Sequence, residues 1–447
     1  MLVVLVPALA LSHACKRSPF AAADASDAAN ATDVANVADV ANVTDVANVA
    51  DTANAADAAD VADAADVADA ADAPEADAAA CALDAGVQIA PQITLAVLRA
   101  GQSQMMADVA FDGTNYLVVW QQGPASGAAW QTFGARVTRD GTVLDSPPLQ
   151  LNGGGGSKVA FNGTDFVLAW SENRDGAYHV YAARVTSFGA VRDPSGIRID
   201  SMAYGGSYAG SLACGRSGCL ISWESGGGTF VSRLDASLAA LDVPPLLVMP
   251  GALTGAGSVA ALASGFFVAW NDSLDGTFGG AFVGAGGGLV GSAVKLAPNG
   301  YGIPPAVSSD GITAFVVWAA SNDVSYTGVY GARVGAGATA LDPAGILIAG
   351  PSSAQPYLAV AYDGRQFVAI WQGAGYVLTG ARVSTAGTVL DSPGFALTGN
   401  EKELAPRIAS PGDGTALVVY DRALPRDADT YVDYSVRASF ITTCVRP

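Results

Sequence analysis

The 447-residue chain holds 51% hydrophobic but only 14% charged residues, with 53 glycines and a formal net charge of −19. Few charges and many glycines suit a many-stranded fold with tight turns better than a helical one. Of the two histidines, His13 falls in the N-terminal apolar run that reads as a signal peptide, leaving His179 alone, which excludes a multi-histidine metal site and argues against a Ser-His-Asp triad.

The negative charge is unevenly placed. Residues 18–80 carry thirteen Asp, one Glu and neither Lys nor Arg. Setting aside that stretch and Lys16-Arg17 leaves 27 acidic and 20 basic residues, a mildly acidic remainder that argues against a nucleic-acid partner.

Residues 1–14 form an apolar run too short to span a bilayer as a folded helix, and read as a signal peptide. The run ends at Ala14-Cys15, which resembles a bacterial lipoprotein signal, in which the Cys after a small residue receives the lipid. That resemblance implies a lipidated Cys15 and a cell-envelope protein at the outer-membrane surface, with no other cofactor. Ordinary export to the periplasm or medium is the alternative, since Ser12-His13-Ala14 also fits a small-x-small cleavage site.

Residues 15–80 form the next segment. From Asp24 to Asp72 every third residue is Asp or Asn, seventeen in succession, with small residues between them. A three-residue period spreads acids around a helix, and nothing there can build a core. A disordered, self-repelling tether is expected.

Residues 81–447 repeat. An aromatic closes one strand in each unit, at Trp120, Trp170, Trp223, Trp270, Trp318, Trp371 and Tyr420, at spacings of 47 to 53 residues. That period in β-rich sequence predicts a seven-bladed all-β propeller of four-stranded blades, and a monomer. In the first unit the strands are expected near 108–112, 115–122, 132–138 and 142–152. The Asp140-Gly141 turn joins the last two. The strand ending in Trp is apolar on both faces, as in a blade stacked between neighbours.

Counting outward from the second hairpin pairs Arg136 with Asp145, Arg184 with Asp193, Arg233 with Asp242, Arg333 with Asp342 and Arg382 with Asp391. The fourth unit has Phe282 and Gly291 instead, losing both partners together, as expected of a cross-strand ion pair. In the first hairpin, Phe111/Tyr116, Phe161/Phe166 and Tyr362/Phe367 are matched by Cys214/Cys219, a predicted disulfide. The seventh unit stops after three strands. Ala82–Ala90 matches Ala340–Ala349, so the N-terminal strand is expected to complete the last blade, pairing Arg437 with Asp84 and stapling Cys81 to Cys444.

The units Phe111–Trp120, Gly134–Val137 and Gly141–Asp145 resemble those of secreted bacterial β-propeller repeat proteins, putative lipoproteins of uncharacterised function. That resemblance implies no particular activity. The Asp-Gly turns lack the Ser-x-Asp-x-Gly-x-x-Trp spacing of sialidase Asp boxes, and Gly153–Gly156 has no Lys and opens no helix, so it is no phosphate loop.

Blade loops alternate between two faces, one with tight turns and one with variable connections. The variable face is expected to carry Trp130, Tyr178, Tyr204, Tyr208, Tyr301, Tyr326 and Tyr431. Aromatics on loops suit stacking on sugars or anchoring a protein, although most such side chains merely cap blade edges. The function expected is a binding or scaffold module for carbohydrate or a protein partner. An enzyme acting on polysaccharide through channel carboxylates is the alternative.

Overall fold

The computed structural model describes residues 86–444 apart from 125–129, 202–205, 227, 252–256, 273–275, 299–303, 322–325, 352–356, 400 and 425–432. The expectations for the signal peptide, Cys15, the tether, Cys81 and Asp84 lie outside the described residues, as do those for Tyr204, Tyr301 and Tyr431.

Seven antiparallel sheets follow one another along the chain. Blade 1 is built from Gln102–Phe111, Asn115–Pro124, Gln131–Thr138 and Leu149–Gly153, each strand pairing with the next. The innermost strands of successive blades touch, and that of blade 7 (Glu403–Ala409) touches that of blade 1. The sheets therefore close into a ring around a central channel. Apart from one turn of 3-10 helix at Ala374–Tyr376, the described residues are strand, turn and loop.

Period-two patterning alone would bury one strand face, but the second strands are buried on both. Tyr116 to Trp120 are wholly inaccessible, and Phe315 to Trp318 nearly so. Each blade-closing aromatic packs into the blade before it. Trp120 lies with Leu417, Val419 and Val436 of blade 7, and Tyr420 with Ile370 and Leu397 of blade 6. The core is thus a set of inter-blade layers, and each aromatic is a wedge between two sheets.

The fourth strand of blade 1 starts at Leu149 rather than at 142. Pro147 and Pro148 supply no N–H groups there and cannot sustain a ladder, so only the Val137–Val143 bridge precedes it.

The five arginines with partners nine residues on hold them in two-pronged ion pairs. Arg136 gives Nε and Nη2 to the two carboxylate oxygens of Asp145 at 2.9 and 2.8 Å, while its backbone N–H donates to Oδ2 at 2.8 Å. The other four repeat this geometry, with guanidinium–carboxylate contacts of 2.7 to 2.8 Å. In blade 4, Phe282 lies opposite Val290 as Arg136 lies opposite Leu144, so Gly291 holds the aspartate's place, and the Phe282 ring packs on Phe267 at 4.9 Å. Cys214 and Cys219 face each other across their hairpin and form a disulfide.

Closure of the ring by the N-terminal strand is present, but in a different register from the one expected. Val87–Ile89 pairs with Thr443 to Ile441, and Ile93–Thr94 pairs with Ala438 and Arg437. Tyr420 lies opposite Arg437, just as Trp120 lies opposite Phe133, three residues before Arg136. Phe440, not Arg437, therefore holds the arginine position of blade 7. The Ala90 amide donates to the Phe440 carbonyl as Leu144 donates to Arg136, which puts Pro91 in the place of the aspartate. An aromatic facing a proline needs no counter-charge, and the Phe440 ring packs edge-on against Tyr116 of blade 1. Arg437 instead donates to Thr94 Oγ1 at 2.6 Å. Cys444 is disulfide-bonded to a cysteine outside the described residues.

Candidate functional site

Antiparallel connectivity puts the turns between first and second strands, and between third and fourth, on one face of the disc. These turns are short because side chains cap them: Asp112 Oδ1 accepts the amides of Thr114 and Asn115 at 2.8 and 2.7 Å, and Asn162, Asp310 and Asp363 repeat the motif. The opposite face carries the longer connections.

On that face the structure brings together two of the expected aromatics. Tyr178 opens the third strand of blade 2 and Tyr208 belongs to the first strand of blade 3, and their ring centroids lie 5.1 Å apart. They are 42% and 50% exposed. One residue along, on the opposite face of the strand, His179 is buried, with Nδ1 2.9 Å from Asp200 and Nε2 3.1 Å from Asp175. Arg198 Nε reaches the same Asp200 at 3.1 Å, and the Arg174 guanidinium lies 3.8 Å over the Tyr181 ring. The strand-end alternation that turns His179 inward is what turns Tyr178 outward. The result is an exposed pair of aromatic rings at the seam of blades 2 and 3, with the His179 network on the other face of the blade 2 sheet.

The other described candidates stand on other blades. Trp130 in blade 1 and Tyr326 in blade 5 are half-buried, and burial first, then nearby Tyr357, pushes the Tyr326 phenol up. Tyr357 and Tyr376, which loop position alone could have singled out, are exposed on the same face. Lys402 Nζ stands 5.7 Å over the Tyr376 ring.

The channel wall holds a cluster that sequence reasoning missed. One position on each innermost strand, the residue facing the one before the wedge aromatic, is Asp108, Lys158, Ser211, Ser258, Ala306, Ala359 or Arg407. Charge is confined to blades 7, 1 and 2, and finding it required the exact register of seven strands. Burial pushes the Lys158 ammonium down to about 8, Arg407 adding to the effect and Asp108 and Asp421 opposing it. Asp421, just after Tyr420, is raised to about 6 by burial against the pull of the Met106 and Ala107 amides, Arg407 and Lys158. Both channel carboxylates hold neighbouring blades: Asp421 Oδ2 accepts Met106 N at 2.9 Å, and Asp108 Oδ2 accepts Val159 N at 3.0 Å.

A cavity of about 500 Å³ lies on the tight-turn face between blades 2 and 3, lined by Arg184, Arg192, Arg216, Asp165 and Asp235. Arg184 and Arg192 are already paired with Asp193 and Asp165, leaving Arg216 as the lining arginine not engaged by a carboxylate among the described residues. Among the described residues no group of three or more His, Cys, Asp or Glu could hold a metal ion.

No family model matches the chain, and no curated protein matches it. Solved structures similar to it include a protein of unknown function from Dyadobacter fermentans (11% identity, 80% of this chain and 100% of that one, TM-score 0.47). The Dos1 propeller (10%, 80% and 95%, TM-score 0.47) and the parainfluenza virus 5 hemagglutinin-neuraminidase (8%, 80% and 95%, TM-score 0.46) are others. At such identities nothing of those proteins' activities passes to this chain.

Proposed function

We propose that this propeller is a binding module whose ligand surface is the variable-loop face, with carbohydrate as the ligand. The observation that carries this reading is the Tyr178–Tyr208 ledge, two half-exposed rings from different blades that meet at a seam. Ring faces stack on the apolar C–H faces of sugars.

Binding is favoured over hydrolysis by the way the channel carboxylates are used. Asp108 and Asp421 hold backbone amides of the next blade, whereas a glycosidase needs two carboxyls free to flank a glycosidic bond. We also read the protein as exported and lipid-anchored at Cys15; the Cys214–Cys219 disulfide supports an oxidising compartment.

A glycan array probed with the purified protein, followed by calorimetry on the strongest hit, tests the reading. Tyr178→Ala and Tyr208→Ala should each weaken binding about tenfold or more. Retained affinity in both variants, or no binding to any glycan, overturns it. Mass spectrometry of the mature N-terminus tests the anchor: an unmodified Cys15 removes it.

A further inference from the structure

Blade 7 departs from blade 1 around its wedge aromatic, and the departures coincide. Tyr420 replaces tryptophan. Across the strand, where blade 1 has Phe133 and blade 5 has Tyr330, blade 7 has Arg437. Where blade 1 pairs Gln104 with Gln122 at 3.0 Å, blade 7 sets Glu403 against Arg422, held 3.9 Å apart. Four polar or smaller groups thus replace one closed, neutral arrangement.

What opens between them is a cavity of about 280 Å³ at the seam of blades 6 and 7, walled also by Leu397, Thr398 and Gln92. The Tyr420 hydroxyl is fixed by Gln92 at 2.8 Å and Ser439 at 3.1 Å, and Arg422 by Gln92 at 2.7 Å and by Glu401. Glu403 differs. It is 1% exposed, and its Oε2 has no hydrogen-bond partner. A buried carboxyl oxygen left unpaired is destabilising, so a native fold that keeps one beside a cavity has a reason to.

We propose that this cavity is a second binding site, separate from the tyrosine ledge, that takes one neutral polyhydroxylated unit of single-sugar size, with Glu403 receiving its hydroxyls. The volume sits at the small end of ligand pockets, which run from roughly 300 Å³. Two guanidiniums nearby, Arg422 and Arg437, disfavour a cation. Gln92 already engages Arg422 and two glutamates, Glu401 and Glu403, line the wall, which disfavours an anion. Hydroxyls satisfy the carboxyl in either protonation state, and burial raises that carboxyl to about 7, with the Thr398 hydroxyl pulling the other way.

Saturation-transfer NMR on the full chain, with glucose, galactose, mannose and N-acetylglucosamine as probes, provides the test. At least one probe should give a signal that survives Tyr178→Ala/Tyr208→Ala and vanishes in Tyr420→Trp. That substitution refills the seam with the ring the other blades use, so it should leave the thermal midpoint unchanged or higher. Glu403→Gln should weaken the same probe about tenfold. No signal from any probe, or one that Tyr420→Trp leaves intact, overturns the proposal. Loss with the tyrosine variant alone would place the sugar at the ledge and overturn it equally.

Discussion

The Nη1 of Arg382 donates to the carbonyl oxygen of Cys444, 2.6 Å away, so a guanidinium already clamped by Asp391 in blade 6 also grips the end of the third strand of blade 7. The same hand-over recurs around the disc: Arg136 reaches Ser187 at 3.2 Å, Arg184 reaches Ala236 at 3.4 Å and Arg333 reaches Thr385 at 3.1 Å. Each pair therefore acts within one blade and between two. At blade 6 the strap lands on a disulfide-bonded cysteine beside the strands that close the ring.

Arg382→Met should therefore cost more than the same change elsewhere. It strands Asp391 and frees the Cys444 carbonyl, and the Arg382 side chain is 6% exposed against 25% for Arg184. Losing one partner of such a pair costs about 2–4 kcal/mol when buried and about 1 kcal/mol nearer solvent. Urea unfolding of Arg382→Met and Arg184→Met checks this. Equal losses would show that the inter-blade strap adds nothing.

The glycine run Gly153–Gly156 is a packing device. Gly154 has φ +129° and a Cβ there would lie 1.9 Å from the Trp170 ring, while its carbonyl accepts Gln121 Nε2 at 3.1 Å. Gly154→Ala should destabilise by about 3 kcal/mol or more, through backbone strain and displacement of the indole. Near-ultraviolet circular dichroism, which reports the indole environment, should change with it. An unchanged spectrum and stability would mean that the seam yields freely.

Cys214 and Cys219 close a very short loop, so the chain-entropy gain from their bridge is modest, about 2 kcal/mol. Cys214→Phe/Cys219→Phe copies the Phe161/Phe166 pair of blade 2, whose rings lie 5.3 Å apart. That double variant should regain most of what Cys214→Ala/Cys219→Ala loses in thermal unfolding. If it is no better than the alanine variant, the aromatic and disulfide solutions are not interchangeable.

These cases mark what was legible beforehand. The Trp period and the nine-residue Arg–Asp spacing are local, repeated five to seven times, and forced by burial, so comparing one unit with another exposes them. The closing register was not legible, because Ala82–Ala90 resembles Ala340–Ala349 while the strand that pairs with Ala438 is Ile93–Thr94. Nothing local separates Arg437 from Phe440 as the repeat's arginine position; the Tyr420–Arg437 pairing does. The straps to Ser187 or Cys444 depend on main-chain carbonyls some fifty residues or more away, which no side-chain pattern encodes. The tyrosine ledge was half legible, since loop position named Tyr178 and Tyr208 but not their meeting.

The buried acids give the fold an unusual response to pH. Burial raises Asp421 from 3.8 to about 6 and Glu403 from 4.5 to about 7. Between those values the folded state holds protons that the unfolded chain has released, so stability from these two groups falls as pH rises through that window. The strapped aspartates act in the opposite sense: Asp193 and Asp342 are lowered, first by their arginines, and lose stability as pH drops through their folded values. Glu403→Gln cannot ionise, so it removes one part of the first effect and none of the second. Relative to the natural protein it should gain about 1–3 kcal/mol more at pH 8 than at pH 5, measured by urea unfolding at both. A difference that is the same at the two pH values would show that the Glu403 carboxyl titrates as it does in water, and that the seam around it is wet and unconstrained.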